Sequence, residues 1–409
     1  MVERLNHRLA QVSVTVERML PISTYLPRSH DMVQINPVWL FLLPVFILAT
    51  HRPGSSKSGL NSDRLEAVSH MIKDEIDRGT VGAASLLVAR NGIIALEKGF
   101  GHLSRLAGSP ACQSDSVFLV ASISKPVTAL AVMRLVEQGR VRLDDTVSKY
   151  LPEFSGEGRE RITIRQILSH TSGLPDMLPA NLELRRRHAS LGEFASEATH
   201  VPLLFSPGSS VSYQSAGFLL AGQIVERITN QSLDTFLQEQ IFRPLGMHHS
   251  SMGLGPRTIS STVQCDLPAK GDLKMSEKDR DWNWNSAYWR KLGAPWGGMH
   301  STTKDIFLLL QATLEARAGI LSSELWREMI RNQNMGLTRP WGIGWEVGQN
   351  SFFKGSPDSA FGHRGATGTL CWADPKTQLC FVLFTNFPLD NGGAQFLERA
   401  ALGIFEALE

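Results

Sequence analysis

Two serines lie within one helical turn of a lysine in the stretch VASISKPVTAL, residues 120–130. Ser122 and Lys125 are three residues apart, so their side chains share one face of a helix. A lysine held in a dry cleft can lose its proton and then serve as the base for a nearby serine. The spacing therefore indicates a nucleophile at Ser122 with Lys125 as its base.

The residues after Lys125 have the apolar spacing of a helix that runs to about Gln138. Pro126 is tolerated because it lies in the first turn. Ser122 is thus predicted at the helix start, where free backbone N–H groups can bind a developing oxyanion. Ser124 points elsewhere, so it is the weaker nucleophile candidate and its replacement by alanine is expected to be mild.

The S-x-x-K pattern is a weak signal when it stands alone. Ser301 with Lys304 and Ser351 with Lys354 match it too, and a serine at a helix start often only caps the helix. The pattern gains weight only from other motifs in the same chain.

Two further motifs follow Ser122 along the chain. The segment VSYQSAGF places Tyr213 two residues before Ser215, and FGHRGATGTL places His363 and Gly365 where a strand is predicted to begin. S-x-x-K, then Y-x-N or S-x-N, then K-T-G or H-x-G is the three-part signature of serine β-lactamases and penicillin-binding proteins. From about residue 62 to residue 408, the chain resembles that superfamily, and especially the class C β-lactamases and family VIII carboxylesterases. Other segments similar to that group are ILSHTSGLPD (167–176), PLGM (244–247), GGMHSTTKD (297–305) and WGIGW (341–345).

The resemblance implies a role for each matching residue. It makes Ser122 the nucleophile, Lys125 its base, and Tyr213 the proton carrier for the leaving group and the deacylating water. The backbone N–H groups of Ser122 and Ala366 form the oxyanion hole, and His363 lines the pocket opposite Lys125. The same resemblance puts the competing Ser301 at a structural helix start and Ser351 in a strand or turn.

Two departures from the superfamily pattern bear on the substrate. Ser215 stands where the pattern usually has Asn, and His363 stands where class C β-lactamases have Lys. In the lactamases the Asn holds a substrate amide and the Lys helps to hold a carboxylate. A short hydroxyl and a weakly basic imidazole suit a neutral ester better. We therefore expect Ser215, His363 and Gly365 to bind an ester substrate.

The segment DWNWNSAYWRKLGAPW, residues 281–296, holds four of the nine tryptophans of the chain. This density favours a pocket wall that includes Trp296 as a substrate-binding residue. The alternative is a satellite aromatic cluster beneath a loop.

The leading hypothesis is a serine hydrolase that cleaves carboxylic esters through an acyl-enzyme, with no metal and no cofactor. A β-lactamase or D-alanyl-D-alanine carboxypeptidase is the main alternative, because the same machinery opens either bond. A non-catalytic sensor on the penicillin-binding scaffold is the third. The sequence contains no G-x-S-x-G, so the nucleophile elbow of α/β-hydrolases is excluded.

Composition narrows the partners to small molecules. The formal net charge is +2, and no run of five like charges suggests nucleic-acid binding. The four cysteines lack C-x-x-C spacing and no histidine begins H-E-x-x-H, which argues against a metal site. Cys371 and Cys380 flank a predicted turn and could pair across it, but buried reduced thiols are the preferred interpretation.

The predicted fold class is α/β, an antiparallel sheet flanked by helices with an inserted all-α domain. A helix capped by Ser62 opens the folded unit, followed by a hairpin around Asn91-Gly92. Strand patterns recur near the other end, in WGIGWEV, GTLCWAD and LCFVLFTN. We assign the α/β part to about 62–120 and 295–409, and the α part to about 121–294.

Residues 1–61 are predicted to be a tail that ends in a linker rich in Pro, Gly and Ser. Its run VWLFLLPVFILA, residues 38–49, suits an export signal or surface anchor and is shorter than the roughly 20 residues of a membrane span. Membrane contact is expected only through this run. If it is an export or anchor segment, the protein is periplasmic, secreted or membrane-attached; otherwise it is cytoplasmic. The oligomeric state stays open.

Overall fold

The computed structural model describes residues 58–270 and 274–408. The strands in these ranges are β1 Ala83–Arg90, β2 Ile93–Gly101, β3 Phe118–Leu119, β4 Ser251–Met252, β5 Met299–Ser301, β6 Glu346–Val347, β7 Phe361–Gly365, β8 Thr369–Asp374 and β9 Leu379–Thr385. Six of them form an antiparallel sheet in the order β2-β1-β9-β8-β7-β6, and the other three form a small sheet in the order β3-β5-β4.

The helices of the described ranges follow in chain order. They are α1 Ser62–Asp77, α2 Ser124–Glu137, α3 Ile164–Leu168, α4 Asn181–Arg186, α5 Leu191–Ala198, α6 Ala216–Thr229, α7 Leu233–Leu237, α8 Arg243–Leu245, α9 Ala287–Leu292, α10 Thr303–Leu314, α11 Ser323–Ile330 and α12 Gly393–Phe405. A π-helical segment, Gln238–Phe242, joins α7 to α8. The fold is therefore a mixed α/β fold with an antiparallel sheet and flanking helices, as the sequence predicts.

The large sheet has a separate apolar core on each face, because successive side chains of a strand point to opposite sides. On β1, Leu86 and Val88 pack into one core together with residues of α1 and α12. Leu87 and Ala89 pack into the other core, which contains the buried residues of α2, α6 and α10. The neighbours of all three predicted motifs, among them Ile123, Ala216 and Phe361, belong to this second core.

The start of the folded unit differs slightly from the prediction. Asn61, and not Ser62, caps α1, since its side chain accepts hydrogen bonds from the N–H groups of Asp63 and Arg64. Leu60 forms a β-bridge with Leu408, so the folded part already includes residues before 62. The division of the chain into an α/β part and an α part stays a prediction.

The predicted first hairpin is confirmed. Strands β1 and β2 pair around Asn91 and Gly92, whose φ values are 53° and 74°. Positive φ at both central residues is what a tight two-residue hairpin turn requires.

The strand predicted at WGIGWEV is limited to Glu346 and Val347. Just before it, the loop lies against the first turn of α2: a Cβ on Gly344 would be 2.6 Å from the Ala129 Cβ and 3.0 Å from the Pro126 Cα, and φ there is +77°. Only glycine fits such an approach. This contact holds the loop in an irregular path beside the start of α2.

The four cysteines are free and buried in the described chain. Burial raises the pKa of Cys371 to about 12, so the interpretation as reduced core thiols holds. Within the described residues, no helix is long and apolar enough to cross a membrane. The predicted segment 38–49 and most of the predicted linker lie outside those residues.

Candidate active site

Ser122 lies in a tight turn that leads into α2. The 3₁₀ turn Ala121–Ile123 precedes the helix, and Ala121 has φ +47°, a backbone conformation that is strained for alanine. Strand β7 passes directly beside this turn: a Cβ on Gly365 would lie 2.3 Å from the Val120 carbonyl oxygen and 3.2 Å from the Ala121 Cβ. Gly365 is therefore needed for this close approach, a packing role that differs from the substrate contact expected from sequence.

Lys125 is fully buried beside Ser122. Its Nζ donates hydrogen bonds to the Ser122 Oγ at 3.0 Å and to the Trp296 carbonyl oxygen at 3.1 Å. Burial lowers the pKa of the Lys125 ammonium to about 7, and the negative charge of Asp176 opposes part of that effect. A substantial fraction of Lys125 is thus uncharged near neutral pH, as a base for Ser122 requires.

Tyr213 completes this group of side chains. The Lys125 Nζ lies 4.6 Å from the centre of the Tyr213 ring. Burial raises the pKa of Tyr213 well above its usual value, and the nearby Ser122 hydroxyl opposes part of that effect. Tyr213 therefore stays protonated and can pass a proton to or from atoms bound at Ser122.

Two threonine side chains hold together the backbone segments of the predicted oxyanion hole. Thr367 Oγ1 donates to the Leu119 carbonyl oxygen at 2.8 Å, and Thr369 Oγ1 donates to the Val120 carbonyl oxygen at 3.0 Å. These bonds fix the turn after β7, which contains Ala366, against the turn that carries Ser122. The N–H of Ser122 is in the first turn of its helix, where N–H groups lack helical partners. The assignment of the Ser122 and Ala366 N–H groups to an oxyanion hole stays a prediction.

His363 lies in the middle of β7 and not at the start of a strand. Its Nδ1–H donates to the carbonyl oxygen of Arg364 at 2.7 Å, and its Nε2 is buried without a partner among the described residues. Burial, helped by the charge of Lys125, lowers the pKa of His363 to about 3. The imidazole is therefore neutral, with an acceptor at Nε2, and its ring centre lies 6.1 Å from that of Tyr213.

The ring of His170 supports Tyr213. The two rings stack with centroids 4.7 Å apart, and Trp341 meets His170 edge-on at 4.3 Å. The His170 Nδ1 accepts a hydrogen bond from the Gln214 N–H at 3.0 Å, and burial lowers the pKa of His170 well below its usual value. A neutral, fixed imidazole here positions the phenol of Tyr213.

A small cavity lies next to this group, between Ser215, which follows Tyr213 by two residues, and Trp296, whose carbonyl oxygen accepts from Lys125. Its lining includes Ser215, Trp296, Phe194, Asp176 and Asn181. The Ser215 Oγ donates to the Asp176 Oδ1 at 2.7 Å. The Trp296 ring packs 5.7 Å from Phe194, measured between centroids. Ser215 and Trp296 thus line one cavity, and the substrate contact predicted for them stays a prediction; the other tryptophans of segment 281–296 are not among the residues that line it.

Sequence reasoning missed two features of the site. Asp176 was quoted only as the end of ILSHTSGLPD, yet its charge acts on both Lys125 and Tyr213. The signal available in the sequence was a single acidic residue at the end of the ILSHTSGLPD segment. The Trp296 carbonyl that accepts from Lys125 gave no signal, because a backbone carbonyl is the same for every residue type.

A sequence profile of the Beta-lactamase family matches residues 68–404. The chain belongs to this family. A relative from Salmonella agona (strain SL483), named as a candidate D-alanyl-D-alanine carboxypeptidase, is 26% identical over 383 residues that cover 84% of this chain and 86% of the relative. The structure of EstCE1, described as a hydrolase with promiscuous acyltransferase activity, is similar with TM-score 0.68 and 20% identity over 84% of this chain and 98% of that one. A penicillin-binding protein homologue from Caulobacter crescentus gives TM-score 0.68 and 23% identity over 84% and 99%.

As a member of the Beta-lactamase family, the protein belongs to a superfamily of serine hydrolases. The serines of the other two S-x-x-K sequences form hydrogen bonds away from Ser122. Ser301 lies in strand β5, and not at a helix start, with its Oγ 2.9 Å from the Ser250 Oγ. The Ser351 Oγ donates to the Val347 carbonyl oxygen at 2.8 Å. Neither hydroxyl has the contact with a lysine amine that Ser122 has.

Ser124 is fully buried and bridges two elements of this β-lactamase fold. Its Oγ donates to the Ala121 carbonyl oxygen at 2.6 Å and accepts from the Met299 N–H at 3.0 Å. Alanine at 124 would leave a buried N–H unpaired, at a cost of about 1–3 kcal/mol. We therefore expect Ser124→Ala to lower the stability of the protein, while its mild effect on turnover stays a prediction.

We predict that kcat/KM for an uncharged ester rises with pH through about 7 and then levels off. The lowered pKa of Lys125, about 7, means that its basic form dominates only above that pH. His363, with a pKa near 3, cannot produce this transition. The measurement is kcat/KM for p-nitrophenyl butyrate from pH 5 to 9, corrected for spontaneous hydrolysis. A flat profile down to pH 5.5 would contradict Lys125 as the base.

Proposed function

We propose that the protein hydrolyses carboxylic esters through an acyl-enzyme on Ser122. The observation that carries this proposal is the neutral His363, which stands where the class C β-lactamases have lysine. A buried imidazole with a pKa near 3 offers no positive charge to a substrate carboxylate. It offers an unpaired acceptor, Nε2, to an uncharged substrate.

In the proposed reaction, the neutral amine of Lys125 takes the proton of Ser122 as the Oγ attacks the ester carbonyl carbon. The oxyanion that forms is held by the N–H groups of Ser122 and Ala366. When this intermediate collapses, the carbon–oxygen bond to the alcohol breaks, and Tyr213 gives the alcohol a proton that Lys125 restores to the phenol.

The second half of the reaction uses the same groups in reverse. Tyr213 and Lys125 take a proton from a water molecule that attacks the acyl carbon. The bond from that carbon to the Ser122 Oγ then breaks, the carboxylic acid leaves, and the Oγ regains its proton. Two proton transfers in opposite directions leave the enzyme unchanged.

The cations near the site do not favour a substrate carboxylate. Arg339 influences the pKa values of Tyr213 and His363, so it lies within electrostatic range of the site. Its guanidinium, however, pairs with the buried Glu346 at 2.8 Å and lies 5.1 Å from the Trp341 ring centre. An arginine already neutralised by a carboxylate attracts a second carboxylate only weakly.

A β-lactamase or D-alanyl-D-alanine carboxypeptidase is the second candidate function. The name of the Salmonella agona relative favours it, and acyl transfer to Ser122 would open a lactam or peptide bond by the same steps. Such substrates carry a carboxylate, so Arg339 would have to exchange Glu346 for the substrate.

We predict a higher kcat/KM for p-nitrophenyl butyrate than for nitrocefin. The reason is the absence of a free cation at position 363. The two substrates are assayed in parallel with Ser122→Ala as the blank. A larger kcat/KM for nitrocefin, lost in the Ser122→Ala variant, would replace the esterase proposal by the second candidate.

A further inference from the structure

We propose that Asp176 binds a cationic amine of the substrate, so that the natural substrates are esters with an ammonium group close to the scissile bond. This inference rests on the proposed esterase function and names its substrate class. It is carried by an exposed carboxylate that lines the same cavity as Ser215 and Trp296 and that has no ion-pair partner among the described residues.

The position of Asp176 is fixed by the segment that carries Tyr213. The backbone N–H groups of Ser215 and Ala216 both donate to the Asp176 carbonyl oxygen, at 2.9 Å and 3.2 Å. The Ser215 Oγ donates to the Asp176 Oδ1 at 2.7 Å. These three bonds hold the carboxylate beside the residues that follow Tyr213, on the rim of the cavity.

The carboxylate of Asp176 is available to a ligand. Asp176 is exposed, and across ranges 58–270 and 274–408 no lysine, arginine or histidine forms an ion pair with it. Its Oδ1 has one hydroxyl partner, and a carboxylate can accept about four hydrogen bonds. A substrate ammonium would supply the missing donors and the missing positive charge.

The charge of Asp176 reaches the reacting groups. It raises the pKa of Lys125, against the larger effect of burial. It also raises the pKa of Tyr213, in the same direction as the larger effect of burial. The contacts agree with this: Asp176 bonds to Ser215, two residues after Tyr213, and shares its cavity with Trp296, whose carbonyl oxygen accepts from Lys125. An ammonium bound to Asp176 would therefore be near the scissile bond.

The rest of the cavity suits the body of such a substrate. Phe194 and Trp296 supply aromatic walls, and Met177, Leu178 and Leu219 supply aliphatic ones. Aromatic faces also attract ammonium groups. The apolar and aromatic lining thus suits a cation that carries an apolar body.

The test uses two pairs of substrates that differ only in charge. Alanine benzyl ester against benzyl isobutyrate places the amine in the acyl group. Butyrylcholine against 3,3-dimethylbutyl butyrate places a permanent cation in the alcohol. We expect one pair to show a preference for the cation in kcat/KM, which Asp176→Asn reduces by roughly tenfold, the effect of losing a hydrogen bond to a charged group. Asp176→Glu should restore part of it.

Asp358→Asn is the matched control, since Asp358 is an exposed carboxylate paired with Lys376. It should leave the ratio for both pairs unchanged. The inference is overturned if neither pair shows a preference for the cation, or if Asp176→Asn leaves the preference intact. The two neutral esters test the esterase proposal separately, because the wild type should hydrolyse them and Ser122→Ala should not. If the wild type does not hydrolyse them, the proposed function is refuted, whatever the preference for the cation.

Discussion

Ser122→Ala is expected to lower kcat for p-nitrophenyl butyrate by about 10⁴-fold or more, because no other group can take over the attack on the carbonyl carbon. The free energy of unfolding should change little, since the hydroxyl is lost from a partly exposed position and the buried Lys125 Nζ keeps its hydrogen bond to the Trp296 carbonyl oxygen. Initial rates and thermal unfolding of the purified variant check both halves of this expectation.

Ser351→Ala is the matched control for that experiment. Ser351 belongs to a second S-x-x-K sequence, with Lys354, but its hydroxyl bonds to a backbone carbonyl. We expect its kcat to stay within about twofold of the wild type. Ser124→Ala is unsuitable as a control because its bonds to Ala121 and Met299 are structural. Turnover retained in Ser122→Ala, or lost equally in both variants, would remove Ser122 from the mechanism.

Lys125→Met is expected to lower kcat by about 10³-fold, within the usual range for the loss of a general base. Methionine has a similar length and no charge, so it fills the buried space without a desolvation cost. The lowered pKa of Lys125 shows that burying this group disfavours its charged form. The variant no longer has this buried ammonium group. Its melting temperature should therefore not fall below that of the wild type.

The comparison for Lys125→Met is Lys354→Met, the lysine of the second S-x-x-K sequence, which is exposed. That variant should retain both activity and stability. A Lys125→Met enzyme that folds with a sharp transition and keeps more than a tenth of the wild-type kcat would show that another group deprotonates Ser122.

The part of the site that local sequence could predict is the part built from short spacings. Ser122 and Lys125 lie one turn apart, so helix geometry alone brings Nζ to within 3.0 Å of Oγ. Asn91 and Gly92 likewise predict their hairpin, because few residue types readily adopt the positive φ values that the turn needs.

The parts that could not be predicted depend on chain segments that meet only in the folded protein. Lys125 donates to the carbonyl of Trp296, 171 residues away, and Asp176 receives its hydrogen bond from Ser215, 39 residues away. The close passage of β7 beside Ser122, which the missing side chain of Gly365 permits, could not be predicted either; the substrate contact expected of Gly365 stays a prediction. The spacing of apolar residues along the sequence does not indicate such contacts between distant segments.

The proposed acyl-enzyme is tested most directly by covalent capture of the nucleophile. An alkyl fluorophosphonate reacts with an activated serine, forming a bond from its oxygen to phosphorus and releasing fluoride. Intact mass and fragment sequencing of the labelled peptide then identify the residue. We predict one adduct per chain, on Ser122 and not on Ser124, in proportion to the loss of ester turnover. Complete inactivation with Ser122 unmodified, or equal labelling of the Ser122→Ala variant, would contradict the account.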